Sequence, residues 1–86
     1  MDWNFRNDQP IYSQLTQRLT EAIVSGIYAP GEKLPSVREL AVEAGVNPNT
    51  VQRALSELER DGLVFSQRTA GRFVTENENM ITNAKL

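Results

Sequence analysis

The stretch Leu34–Gly62, LPSVRELAVEAGVNPNTVQRALSELERDG, decides the fold. Ser36 begins a capping box with Glu39 three residues later, so a helix starts here. Val37, Leu40, Ala41 and Ala44 share one face of it, and Gly45 supplies the stop. Asn47 is then a good N-cap, and Pro48 takes the first helical position, where a missing N–H costs nothing. The helix that follows runs to about Asp61, with Gly62 as its stop. Val51, Ala54, Leu55 and Leu58 form its buried stripe. Two short helices joined by a tight turn, the second opening with small polar residues, make the pattern of a helix-turn-helix. The second helix of that motif enters the major groove of DNA.

Working outward toward the N-terminus, Lys33 to Pro35 reads as a short extended piece, because the residue before a proline avoids the α region. Tyr28-Ala29-Pro30-Gly31 reads as a turn. Before it, Ile11, Leu15, Leu19, Ala22 and Ile23 recur at helical spacing, with Pro10 in the first turn and Gly26 as the stop. Residues 1–9 read as a polar arm. Working outward toward the C-terminus, Leu63 to Gln67 and Arg72 to Thr75 are rich in strand formers and flank a plausible hairpin turn, Arg68-Thr69-Ala70-Gly71. The tail from Glu76 to Leu86 is polar, without an apolar period long enough to assign. The expected architecture is mainly α with a small β-hairpin. It is a winged helix-turn-helix in the order helix, short strand, helix, helix, two-stranded wing. Its limits are 10–75, with the recognition helix at 48–61 and the wing at 63–75.

Composition narrows the function. An 86-residue chain has room for one small domain. It has no Cys and no His, which removes disulfides, thiolate metal sites and the usual general base. Neither catalysis nor a cofactor or metal site is expected in this chain. No apolar run approaches the roughly 20 residues of a membrane span, and the N-terminus lacks the apolar core of a signal peptide. A cytoplasmic protein is expected.

The formal net charge is −2, whereas DNA-binding domains are often basic. Between Lys33 and Arg72, however, six basic residues face five acidic ones, a local balance of +1. A monomer so weakly basic should bind DNA poorly, since phosphate neutralisation supplies much of the affinity. Dimerisation is therefore an expected requirement.

The face of the second motif helix opposite its stripe carries Asn49, Gln52, Arg53, Ser56 and Arg60. The start of a recognition helix does most base reading, which favours Asn49, Gln52 and Arg53. Asn and Gln amides can pair bidentately with adenine, and Arg with guanine. Thr50 lies off this face, near the helix start, where a hydroxyl can bond a phosphate oxygen; free N–H groups there also favour phosphate. The same polar residues can equally form a solvated face. Against that, the face holds no Asp or Glu, while Glu57 and Glu59 lie to its sides. Arg38 has a rival reading as a surface ion pair with Glu39, Glu43 or Glu57. Arg68 and Arg72 can contact phosphates or a minor groove, or merely guard the hairpin edges. A winged helix used for protein interaction would want an apolar patch on this face, and there is none.

These motifs resemble the N-terminal DNA-binding domain of the GntR family of bacterial transcription regulators, and within it the YtrA-like subfamily. The matching stretches are Pro10-Ile-Tyr-Ser-Gln-Leu, GIYAPG from Gly26, LPSVRELA from Leu34, VNPNTVQRALSELERDGL from Val46, and GRFV from Gly71. The resemblance implies a bacterial regulator, expected to be a repressor, that binds a palindromic operator as a homodimer. It implies DNA contacts from the PSVREL motif (Ser36 and Arg38), from the recognition-helix start (Asn47, Pro48, Asn49, Thr50 and Gln52), and from the wing (Arg68 and Gly71). With Arg53 from the helix face, these residues make up the expected site.

Two positions depart from the pattern. Many members carry Arg or Ser in place of Pro48, although proline is common in the YtrA-like group. Many wings carry glycine in place of Thr69. Members normally continue past the wing, into a ligand-binding domain or, in the YtrA-like group, a pair of dimerisation helices. Residues 76–86 thus read as a linker or the start of a truncated dimerisation region, with Asn79 to Leu86 beginning the helix. Any small-molecule effector is expected to act through a region outside this chain. Some members are fused to an aminotransferase-like domain, which this chain has no room to hold.

Overall fold

The computed structural model describes residues 3–85. Its elements run α1 (Ile11–Val24), α2 (Val37–Ala44), α3 (Pro48–Arg60), β1 (Val64–Gln67), β2 (Gly71–Val74) and α4 (Glu78–Lys85). This is the expected winged helix-turn-helix, with a helix added after the wing.

The apolar stripes meet in one core. Leu15 and Leu19 of α1, Leu40 of α2, and Val51, Leu55 and Leu58 of α3 are fully buried together with Val74 of β2. Each side chain of this size removed from water contributes about 1.5–3 kcal/mol before the entropy of ordering it is counted. The helix-turn-helix is therefore held by α1, which packs on α3, as α2 does. Both caps form as the residues suggest. The Ser36 side chain accepts from the Glu39 N–H, and the Glu39 carboxylate accepts from the Ser36 N–H. Gly45 closes α2 with φ at +69°, the left-handed region that glycine enters without penalty.

The wing is a two-stranded antiparallel hairpin with register Val64↔Val74, Phe65↔Phe73, Ser66↔Arg72 and Gln67↔Gly71. The Phe65 and Phe73 rings stack across it at 5.9 Å. The short strand expected at Lys33–Pro35 is reduced to one bridge, Lys33↔Phe73. Hydrogen bonds on either side extend it: Leu34 N–H donates to the Arg72 carbonyl (2.8 Å) and Val74 N–H to the Glu32 carbonyl (2.9 Å). Proline at 35 cannot donate, so the pairing ends there.

The N-terminal end differs from the sequence reading, whereas the helix expected from Asn79 forms as α4 from Glu78, with Leu86 outside the described residues. The N-terminal arm is more than polar, because Trp3 and Phe5 pack half-buried against the core. Gln14, the one buried polar side chain among the described residues, pins this arm. It accepts from the Arg6 N–H (2.6 Å) and donates to the carbonyls of Arg6 (2.8 Å) and Gln9 (3.0 Å). At the other end, the Asn77 side chain caps α4 by accepting from the Asn79 N–H (2.9 Å). The helix seats Ile81 against the core and packs along α1. Ile81 is its one buried residue among those described, too little for a periodic signal, so the expectation of this helix rested on the resemblance.

Candidate nucleic-acid interface

The first turn of α2 projects Arg38 into solvent. None of the three acids within reach in sequence claims it. Glu39 is held in the capping box, Glu43 accepts from the Trp3 indole N–H (3.1 Å), and Glu57 lies 3.9 Å from Arg60. Among the described residues Arg38 has no ion-pair or hydrogen-bond partner, so its charge is available. Ser36 is exposed beside it; its oxygen serves the cap, and its O–H remains able to donate.

At the start of α3, the Asn47 carbonyl oxygen of the side chain accepts from the Asn49 N–H at 2.8 Å. Asn47 is exposed, and its amide NH₂ makes no hydrogen bond among the described residues. Pro48, Asn49 and Gln52 are exposed and Thr50 is half-buried. Arg53 is exposed as well, but it does not stand free on the outward face. Its guanidinium carbon lies 3.5 Å from the centre of the Tyr12 ring on α1. Asn49, Thr50 and Arg53 line one cleft with Ile11 and Tyr12.

The wing separates its two arginines. Arg68 is exposed in the turn at the tip, with no partner among the described residues. Arg72 donates from Nε to Glu59 at 2.6 Å, and the Ser66 hydroxyl donates to the same carboxylate at 2.9 Å. The Arg72 hydrogen bond holds the Glu59 carboxyl below its ordinary value, opposed by partial burial and aided by Ser66. Arg72 is therefore a tether between the wing and α3. Glu39 is likewise lowered, chiefly by the backbone and side-chain hydrogen bonds of Ser36.

Gly71 is exposed at the base of the turn with φ at +106°. The positive φ favours glycine, and a Cβ there would come within 3.1 Å of the Lys33 side chain, which would have to shift. A second cleft, lined by Lys33, Ser36, Glu39, Thr69, Gly71 and Arg72 among others, joins the start of α2 to the wing. The structure thus brings Ser36 and Gly71 together at one cleft and Asn49, Thr50 and Arg53 at another. Arg38, Asn47, Pro48, Gln52 and Arg68 line neither. Lys33 and Tyr12 were missed by sequence reasoning. Lys33 had the signal of a cation directly before the capping motif; Tyr12 had none, because its role depends on how α1 crosses α3.

The description "Bacterial regulatory proteins, gntR family" fits residues 11–74 of the chain. The HTH-type transcriptional repressor YtrA of Bacillus subtilis (strain 168) is 49% identical over 72 residues, which are 84% of this chain and 55% of the repressor. A solved GntR family transcriptional regulator from Listeria monocytogenes matches with a TM-score of 0.91 at 41% identity, covering 94% of this chain and 71% of that one. AraR(DBD) in complex with operator ORX1 matches with a TM-score of 0.74 at 31% identity, covering 78% of this chain and 81% of that one. The chain spans about half the length of the Bacillus repressor.

Proposed function

This chain belongs to the gntR family of bacterial regulatory proteins and is a DNA-binding transcription regulator, and we propose that it acts as a repressor, binding a palindromic operator as a homodimer in the cytoplasm. In this reading residues 10–75 are the DNA-binding unit. The first two turns of α3 lie in the major groove, where Asn49 and Gln52 read base edges and Asn47, Pro48 and Thr50 fit against the groove wall. Ser36 and Arg38 hold the phosphates beside α2. Arg68 and Gly71 carry the wing tip onto the minor groove or the backbone. Residues 76–86, which include α4, open a dimerisation region, and any small-molecule effector acts outside this chain.

One observation carries the reading. Glu39, Glu43, Glu57 and Glu59 around the expected surface are engaged by other protein groups, while Arg38, Gln52 and Arg68 are exposed and unengaged among the described residues. A surface whose negative charges are occupied and whose cations and amides are open suits a polyanion with readable edges. The name of the Bacillus relative supports repression, and the weak local charge supports a dimer.

The test is selection of bound sites from a random duplex pool, followed by a salt titration of the winner. We expect a palindrome with half-sites about one helical turn apart and affinity that falls steeply with salt. A pool that stays random after repeated selection would contradict the operator reading.

A further inference from the structure

We propose that Tyr12 is a positioning residue for Arg53, holding its guanidinium on the α1 side of α3 so that it grips a DNA phosphate instead of a base edge. The proposal rests on the DNA-binding reading above and refines the part that Arg53 plays in it. The guanidinium carbon sits 3.5 Å from the ring centre, well inside the ~6 Å at which a cation is attracted by an aromatic face. Tyr12 is half-buried and Arg53 exposed, so the ring is the fixed member of the pair and the cation the held one.

The kind of partner matters. A carboxylate would occupy the N–H donors of the arginine and cancel its charge, as Glu59 does for Arg72. An aromatic ring covers one flat face only. It leaves the in-plane N–H groups open and the charge whole, while removing much of the rotamer freedom that a long side chain otherwise loses on binding. Arg53 is thus pre-organised and still fully cationic.

The direction of the hold decides what it meets. A helix lying in the major groove has base edges beneath its outward face and a sugar-phosphate backbone along each flank. Arg53 is drawn toward α1, and the cleft there is shared by Ile11, Tyr12, Asn49 and Thr50. The Thr50 hydroxyl adds a neutral donor to that cleft. One cation and a hydroxyl donor, with no carboxylate lining the cleft, match a phosphate group.

The test measures binding of the chain to a short mixed-sequence DNA duplex by fluorescence anisotropy across a range of salt concentrations. The variants are Tyr12→Phe, Tyr12→Leu, Arg53→Gln and the Tyr12→Leu/Arg53→Gln double. We expect Arg53→Gln to lower the slope of log affinity against log salt by about 0.9, the value for one phosphate contact on duplex DNA. Tyr12→Leu should weaken binding several-fold, Tyr12→Phe should stay near wild type because the ring remains, and the double variant should be no weaker than Arg53→Gln alone. Equal losses for Tyr12→Phe and Tyr12→Leu would overturn the proposal, since the hydroxyl would then be the contact. So would additive losses in the double variant, or an unchanged salt slope for Arg53→Gln. If melting curves show that Tyr12→Leu does not fold, the Arg53→Gln slope together with Tyr12→Phe decides. Wild-type chain that binds no duplex at all would overturn the DNA-binding reading and this one together; wild-type binding with unaltered variant slopes overturns this one alone.

Discussion

The two halves of α3 share a core stripe and differ in everything they turn outward. The N-terminal half, Pro48 to Arg53, holds no acid and offers amides, a hydroxyl and a ring-held arginine. The C-terminal half, Ala54 to Arg60, is an internal joint: Glu59 ties down Arg72 and Ser66 of the wing, and Glu57 faces Arg60. The difference teaches how an acidic chain can present a DNA-binding surface. A net charge of −2 says little, because the acids on this helix are consumed within the protein and the cations near its start are not.

The harshest way to break the contrast is to remove the stripe that both halves share. Val51 is fully buried, so Val51→Asp puts an unpaired charge in the core. It should cost more than about 3 kcal/mol and abolish a cooperative melting transition by circular dichroism. A normal melting curve would mean that the helix is phased differently.

Smaller changes separate the halves. Arg38→Ala and Gln52→Ala should each weaken operator binding by about 1–3 kcal/mol while leaving the melting temperature within error, because neither side chain has a partner among the described residues. Equal affinities in a titration of folded variants would remove these residues from the surface.

Glu59→Gln should do the reverse and lower stability at neutral pH. The side chain is about a third exposed (32%), so the loss is discounted for solvent to about 0.5–1 kcal/mol. Its pH dependence follows from the sign of the shift. A carboxyl held below its ordinary 4.5 stabilises the fold fully above that value and ceases to do so as pH falls through the lowered one. The gap between wild type and Glu59→Gln in urea titrations should therefore begin to shrink as pH falls below about 4.5 and close once pH is below the lowered value. A gap that persists in acid would show that the pair contributes through packing and not through charge. The smallest effect is expected for Arg60→Ala, which should change affinity by less than ~0.5 kcal/mol, since Arg60 lies in the last turn and faces Glu57.

Most of the fold was legible because its signals are local. The capping box at Ser36, Asn47-Pro48 and the stripe Val51–Leu58 each state a boundary or a face within a few residues. What stayed hidden depended on contacts across the chain. Trp3 and Phe5 look like part of a polar arm until Gln14 is seen to clamp the backbone of residues 6 and 9. Arg72 and Arg68 look alike until strand register puts Arg72 opposite Ser66 and beside Glu59. Arg53 belongs by helical phase to the outward face, yet the α1 crossing supplies the ring that draws it sideways. Helix α4 was expected from the resemblance and not from a stripe, because Ile81 is its one buried residue among those described.

The most direct test follows backbone amide shifts by NMR as the chain is titrated with a DNA duplex. We expect Arg38, Asn49 to Arg53 and Arg68 to Gly71 to shift together, while Glu57 to Asp61 hold their positions. Shifts concentrated at Glu57 to Asp61, with Asn49 to Arg53 silent, would contradict the division of α3 into a reading half and a structural half.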